Sequence, residues 1–341
     1  MFASARFKRI LSTLAVPVML TVTGSPAVLA AEAKPIEFDY LALGDSLAAG
    51  VTPYNQIDDG YTDFLAEKIE ELGFLGFYTN RFAVPGYTTG DVLDDIQDDV
   101  EKGGDHIRDM IDEAEVITLD AGANDLLQHL TINQSGVSLD PEKVPLILGQ
   151  VQENTREILK EIKIQNFRAK VYVMGYYNAF PYIPEEQQKQ LLPVLDQLNK
   201  VIEKEAKRAD AAFIPTAKAI GKDVPTYLPN PQNIHLSEEG YEVVADAFWK
   251  EMKKQFLFRL TTKDRSVTLH TGEDHGLTLS AIFPSKQEFA VEKLAQWSSS
   301  NEEIASVKDG VVTAHKKGTV TITAKYEGEQ IKIIVKVIDP R

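Results

Sequence analysis

The sequence predicts an α/β protein built on a parallel sheet covered on both faces, followed by a small all-β sandwich. Between residue 36 and about residue 256, short apolar runs alternate with longer amphipathic stretches, the rhythm of strand–helix–strand units. After residue 258 the helical periodicity ends; Thr, Val and Ser dominate, and turn signals recur about every ten residues. With 341 residues, 43% of them hydrophobic, the chain has enough apolar surface for two domains or one large one.

The elements follow in order. Residues 36–43 read as the first strand, whose apolar run Tyr40-Leu41-Ala42-Leu43 is buried and stops at Gly44. Phe64, Leu65, Ile69 and Leu72 stand at helical spacing within 61–72, and residues 77–84 make a less regular strand. Residues 91–100 read as an acidic surface helix and 116–121 as a strand stopped by Gly122. A long amphipathic helix spans 144–164, a strand 170–175, a helix 185–208 and a short strand 211–214. Ser237 reads as an N-cap, with Glu238 and Glu239 in the first turn favouring the dipole of a helix that runs to about residue 256. Beyond it, strands are expected at 267–269, 277–282, 304–307, 311–314, 320–326 and 331–337, with Asp309-Gly310 as a hairpin turn.

The first thirty residues stand apart. Arg6, Lys8 and Arg9 open a segment whose residues 10–22 are mostly apolar and which Gly24, Ser25 and Pro26 break. Small-residue cleavage sites follow Ala30 or Ala31, so residues 1–30 read as a signal peptide and the protein as secreted, extracellular or associated with the cell surface. Its removal takes away three positive and no negative charges, moving the net charge from −15 to −18. So acidic a chain argues against a nucleic-acid partner, which would need a basic face. The absence of Cys excludes disulfides, thiolate chemistry and Cys-based zinc sites. His106, His129, His270, His275 and His315 have no metal-ligand spacing, and no glycine cluster forms a nucleotide fingerprint.

Four points lie at or beyond predicted strand ends, where an open sheet gathers its ligands. They are Ser46, in Gly44-Asp45-Ser46-Leu47; the stretch Val84-Pro85-Gly86-Tyr87-Thr88-Thr89-Gly90; Asn124, in Asp120-Ala121-Gly122-Ala123-Asn124-Asp125; and His235, in Asn233-Ile234-His235-Leu236-Ser237 just before the last helix. Acyl transfer needs a nucleophile, a base and donors aimed at the developing oxyanion. Ser46 and His235 fit the first two roles; the Gly86 N–H, the Asn124 carboxamide and the Ser46 N–H fit the third. Asp45 and Asp125 read as structural groups that bond nearby backbone, since neighbours on a turn rarely face each other.

This set and order resembles the SGNH or GDSL hydrolase superfamily, named for a Ser, a Gly, an Asn and a His in four sequence blocks. Here these are Ser46, Gly86, Asn124 and His235, and the likeness covers residues 36–257. The resemblance implies a flavodoxin-like three-layer α/β/α fold, Ser-based ester hydrolysis, and neither metal nor cofactor. One departure stands out: the family's Asp three residues before the His is replaced by Gln232, with Asn233 next to it. What orients His235 is left open between these amides, a backbone carbonyl, a distant acid such as Asp223 that folds back, and a slower Ser-His dyad with no orienting acid. Residues 262–339, with Trp297-Ser298-Ser299-Ser300-Asn301 and Gly318-Thr319-Val320-Thr321-Ile322-Thr323-Ala324, closely resemble the group 2 bacterial immunoglobulin-like domain.

The expected substrates are small-molecule, lipid or polysaccharide esters. One reading is a serine esterase for short to medium acyl chains, lysophospholipids among them. A second is a carbohydrate O-acetylesterase acting on cell-wall or plant polysaccharide. A third is a non-catalytic surface-binding protein with a degenerate hydrolase domain. Loops 47–58, 126–141 and 176–184 should wall the pocket, the last carrying Tyr176, Tyr177, Phe180 and Tyr182. The C-terminal domain is expected to be a spacer or a module contacting a cell surface or polysaccharide, and its deletion to leave small-ester hydrolysis largely unchanged if the hydrolase core folds alone.

Overall fold

The computed structural model describes residues 36–133, 136–284 and 286–339. Residues 1–30, expected from sequence to be a signal peptide, lie outside the described residues. Five strands, β1 (Phe38–Gly44), β2 (Leu75–Ala83), β3 (Val116–Asp120), β6 (Lys170–Gly175) and β7 (Ala212–Pro215), make one parallel sheet in the order β2-β1-β3-β6-β7. Between β3 and β6 a hairpin, β4 (Leu130–Asn133) and β5 (Gly136–Leu139), stands outside the sheet. It replaces the loop expected from sequence. The strand order reverses between β1 and β3, so the chain exits their carboxyl ends on either side of a crevice.

Helices cover both faces. Helix α1 (Tyr61–Glu71) packs with α5 (Glu238–Met252) on one; α2 (Thr89–Gln97), α3 (Val144–Gln165) and α4 (Glu185–Arg208) pack on the other. Burial on both faces explains why β1 and β3 are largely apolar rather than alternating, with Leu41, Leu43, Val116, Ile117 and Leu119 fully enclosed. The Ser237 hydroxyl accepts the Gly240 N–H at the start of α5, as the sequence predicts. Helix α2 starts two residues earlier than expected, because Thr88 and Asp91 form a capping box.

The C-terminal residues build a four-stranded sheet (Ser266–His270, Glu329–Ile338, Gly318–Tyr326, Gln296–Ser299) facing a three-stranded one (Asp274–Gly276, Val311–Ala314, Ala305–Lys308). Leu269, Leu277, Val312, Ile322, Ile333 and Val335 fill the space between them. Asp309 and Gly310 both adopt left-handed φ, +48° and +81°, which lets a two-residue turn follow the strand twist. Trp297 is half-buried with its indole N–H on the Glu292 carbonyl, a packing residue.

A further three-stranded sheet, Arg259–Thr261, Ser280–Ile282 and Glu288–Ala290, docks this sandwich onto the first domain. Phe283 packs edge-on against Phe38 and Phe74, with centroids 5.5 and 6.0 Å apart, and Phe258 bridges Phe74 and Tyr326. The core of the first domain therefore extends into this linker sheet and reaches Ala324 and Tyr326, while the sandwich keeps a core of its own. The linker region is itself aromatic core. Phe38 opens β1 and Ser46 follows its end, so the sandwich covers the amino edge of the sheet, opposite the site.

Candidate active site

β1 ends at Gly44, whose φ of +148° suits glycine; a Cβ there would overlap Asp120 Oδ1. The chain then turns tightly through Asp45 and Ser46, with Ala49 N–H bonded to Asp45 O and Val51 N–H to Ser46 O. Two buried carboxyl groups brace this turn from below. Asp45 Oδ1 accepts the Leu47 N–H at 2.9 Å and its Oδ2 the Tyr176 hydroxyl at 2.9 Å. Asp120 accepts the Ala48 N–H at 3.0 Å and the Tyr61 hydroxyl at 3.1 Å. The two carboxyl groups are close enough for each to shift the other's titration. Burial pushes the Asp45 carboxyl up to about 6, and burial together with the neighbouring Asp45 raises Asp120 well above the usual carboxylate range. Asp45 thus has the structural role read from the sequence; Asp120 as its partner was missed, its one signal being an acid at the end of an otherwise apolar strand.

Ser46 lies at the floor of a cleft, 8% exposed. His235 Nε2 is 2.8 Å from Ser46 Oγ. Asn233 Oδ1 is 2.7 Å from His235 Nδ1 and also accepts the His235 backbone N–H at 2.9 Å. An amide oxygen only accepts, so Nδ1 carries the proton and the Nε2 lone pair faces the serine. Burial lowers the His235 pKa from its ordinary value, favouring the neutral base. Of the open alternatives for the orienting group, Gln232 is exposed with its backbone N–H on Asn230 Oδ1, and Asp223 caps a short helix through Thr226. Asn233 fills the position, two residues before the histidine.

Gly86 is the third residue of a turn closed by Tyr87 N–H on Val84 O; its φ of +90° fits glycine after Pro85, and the space beside its Cα is open. One N–H of the Asn124 amide donates to Tyr87 O at 2.9 Å, which ties the two blocks together and leaves the other N–H for the cleft. Behind them Asp125 accepts the N–H and hydroxyl of Thr89, and Asn154 donates to the same hydroxyl.

The cleft beside Ser46 encloses about 780 Å³, its open mouth included. Loops 47–58, 126–141 and 176–184 all contribute to its walls, as expected. A further part of the lining, Leu191, Leu192, Leu195 and Leu198 on α4, joins Leu126, Leu127, Leu130 and Leu139 around the cleft and has no signal in the sequence beyond helical periodicity. Tyr176 and Tyr177 serve both packing and lining: their rings line the cleft, while their hydroxyls hold Asp45 and the Ile234 carbonyl. Among the described residues no cluster of three or more His, Asp or Glu could hold a metal ion, and no helix is long and apolar enough to cross a membrane.

A parallel α/β/α sheet carrying Ser, Gly, Asn and His at its carboxyl edge defines a class of ester-bond hydrolases. The chain belongs to the GDSL-like lipase/acylhydrolase family, whose model matches residues 42–243. The model of the group 2 bacterial Ig-like domain matches residues 259–330. Among solved structures the fold is similar to that of the lipase Lip_vut3 from a goat rumen metagenome: TM-score 0.50, 22% identity, covering 62% of this chain and 96% of that one. The lipase/acylhydrolase from Enterococcus faecalis is 19% identical over 63% of this chain and 95% of its own, with TM-score 0.45. The acetylxylan esterase Axe2 from Geobacillus stearothermophilus is 16% identical over 64% and 94%, with TM-score 0.47. No curated protein matches the chain.

Proposed function

We propose that the protein is a secreted serine carboxylester hydrolase acting on esters with apolar acyl groups of short to medium length, lysophospholipids among them, through an acyl-enzyme on Ser46. The observation that carries this is the 2.8 Å Ser46 Oγ–His235 Nε2 contact at the floor of a leucine-lined cleft. His235 Nε2 takes the Ser46 proton as Oγ attacks the ester carbonyl carbon. The oxyanion is received by the N–H groups of Ser46 and Gly86 and the free N–H of Asn124; one such donor contributes roughly 3–4 kcal/mol to barrier lowering. The tetrahedral adduct collapses, and the alcohol leaves with the proton from Nε2. Water repeats the sequence, releasing the acid and restoring Ser46.

The leucines favour a longer acyl group over acetyl, which would leave most of that wall uncovered. A polysaccharide O-acetylesterase therefore ranks second. Chromogenic esters graded from acetate to decanoate, run beside acetate release from acetylated xylan, separate the two. The expected optimum lies beyond acetate; fastest turnover on acetylated xylan would reverse the order. Fluorophosphonate labelling at Ser46, abolished in Ser46→Ala, excludes a non-catalytic protein, and absence of labelling in the wild type favours one. Secretion predicts a mature chain starting at Ala31 or Glu32; an exported protein retaining Met1 would sink that part.

A further inference from the structure

We propose that Asn55 is a positioning residue of the active site: by accepting the Asn233 side-chain N–H it fixes which way the Asn233 amide faces, and through it the tautomer of His235. The proposal rests on the reading of Ser46 and His235 as nucleophile and base. Asn55 Oδ1 receives Asn233 Nδ2 at 2.9 Å, across 178 positions of sequence. The same amide turns its oxygen to His235, so four side chains stand in one line: Asn55, Asn233, His235, Ser46.

The argument is one of chemical symmetry. A carboxylate in the orienting position has two equivalent oxygens and cannot be turned the wrong way. An amide has one acceptor end and one donor end. If the Asn233 amide turned over, its NH2 would face Nδ1, the Nδ1 lone pair would have to accept, and the proton would move to Nε2. The serine would then meet an N–H where it needs a lone pair, the wrong-tautomer state that makes loss of the orienting acceptor so damaging in other serine hydrolases. A fixed acceptor on the far side of Asn233 opposes that turn. The His235 backbone N–H, also on Asn233 Oδ1, acts in the same sense.

The loop that carries Asn55 is held for this task. Val51 and Ile57 form a bridge, Thr52 N–H bonds Gln56 O at 2.7 Å, and Asn55 itself has a left-handed φ of +57°, which Asn tolerates better than most residues. The loop is anchored from the histidine side twice more: Asn230 Nδ2 donates to Pro53 O at 2.8 Å, and the Tyr241 hydroxyl to Val51 O at 2.6 Å. The segment 230–235 thus reads the position of loop 51–57 through two asparagines, one on backbone and one on Asn55.

The test is Asn55→Gly, which keeps the left-handed backbone and removes only the acceptor. In 15N NMR of the full-length protein at a pH where His235 is neutral, the wild type should show Nδ1–H alone, and Asn55→Gly a mixture with Nε2–H. On an ester the wild type hydrolyses, kcat should fall about tenfold, the scale of one lost net hydrogen bond, with KM within twofold. Asn55→Asp, which keeps an acceptor, should restore the single tautomer. In an Asn233→Asp background, where the orienting group has no wrong face, Asn55→Gly should leave the tautomer unchanged. An unmixed Nδ1–H tautomer in Asn55→Gly, or equal mixing in both backgrounds, would overturn the proposal. The tautomer is read without substrate, so an inactive wild type would count against the proposed function and leave this result standing.

Discussion

Asn233 Oδ1 sits 2.7 Å from the ring Nδ1 of His235 and 2.9 Å from the same residue's backbone nitrogen, so one neutral oxygen orients both the imidazole and its main chain. A neutral acceptor fixes the tautomer but stabilises the imidazolium less than a carboxylate would. Two expectations follow for the pH profile. Burial lowers the His235 pKa, and the base works only when unprotonated, so the acid limb of wild-type kcat/KM should lie below pH 6.5. Asn233→Asp adds a negative charge beside Nδ1 and should move that limb upward by about one unit or more. Asn233→Ala should lower kcat about a hundredfold or more. A limb that stays in place in Asn233→Asp would mean that Asn233 does not act through the ring.

The Asp45–Asp120 pair should make stability fall with rising pH. Both carboxyls have folded-state pKa values raised above their unfolded ones, so their contribution is fully present below about pH 4 and is lost as pH rises through about 6 and above. Asp120→Asn keeps a donor toward Asp45 at every pH. Thermal unfolding followed between pH 4 and 8 should show a smaller decline in the variant than in the wild type. Equal slopes would show that the pair does not titrate in that range.

The α4 wall should set acyl chain length. Leu195 lines the cleft from α4, and Leu195→Trp fills the space an acyl chain would take. The ratio of kcat/KM for octanoate over acetate esters should drop about tenfold or more, because each excluded methylene removes about 0.8 kcal/mol of apolar burial. A ratio unchanged within twofold would place the acyl group elsewhere.

The aromatic seam should make the two domains unfold together. Phe283 is 3% exposed and touches Phe38, Phe74, Phe258 and Phe289. Phe283→Ala should cost about 3–5 kcal/mol. It should shift near-UV and far-UV denaturant transitions of the full chain together. Deleting residues 259–341 exposes Phe38, Phe74 and Phe256 and should lower the melting temperature of the hydrolase domain. Two separate transitions in the wild type would contradict this.

Much of the scaffold was readable locally. The buried runs of β1, β3 and β6, the 22-residue and 24-residue amphipathic helices and the Ser237 cap each follow from periodicity or cap chemistry carried by adjacent residues. The hairpin Leu130–Asn133/Gly136–Leu139 is not legible in the sequence, because four-residue strands carry too few alternations to stand out. The aromatic seam was missed because Phe38, Phe74, Phe256, Phe258 and Phe283 match no local period; they share only a place in space.

The sequence by itself determined the fold class and the family, and it nominated Ser46, Gly86, Asn124 and His235 as site residues, because strand ends and their turns are local features and topology brings them to one edge. It did not determine what holds those residues. Asn233 rather than Gln232 on the imidazole, Asp120 under the nucleophile turn, Asn55 behind Asn233 and the leucines of α4 across the cleft were decided by the tertiary structure alone. Each is a contact between side chains far apart in sequence, and its existence depends on angles and distances of a few tenths of an ångström that no local pattern encodes.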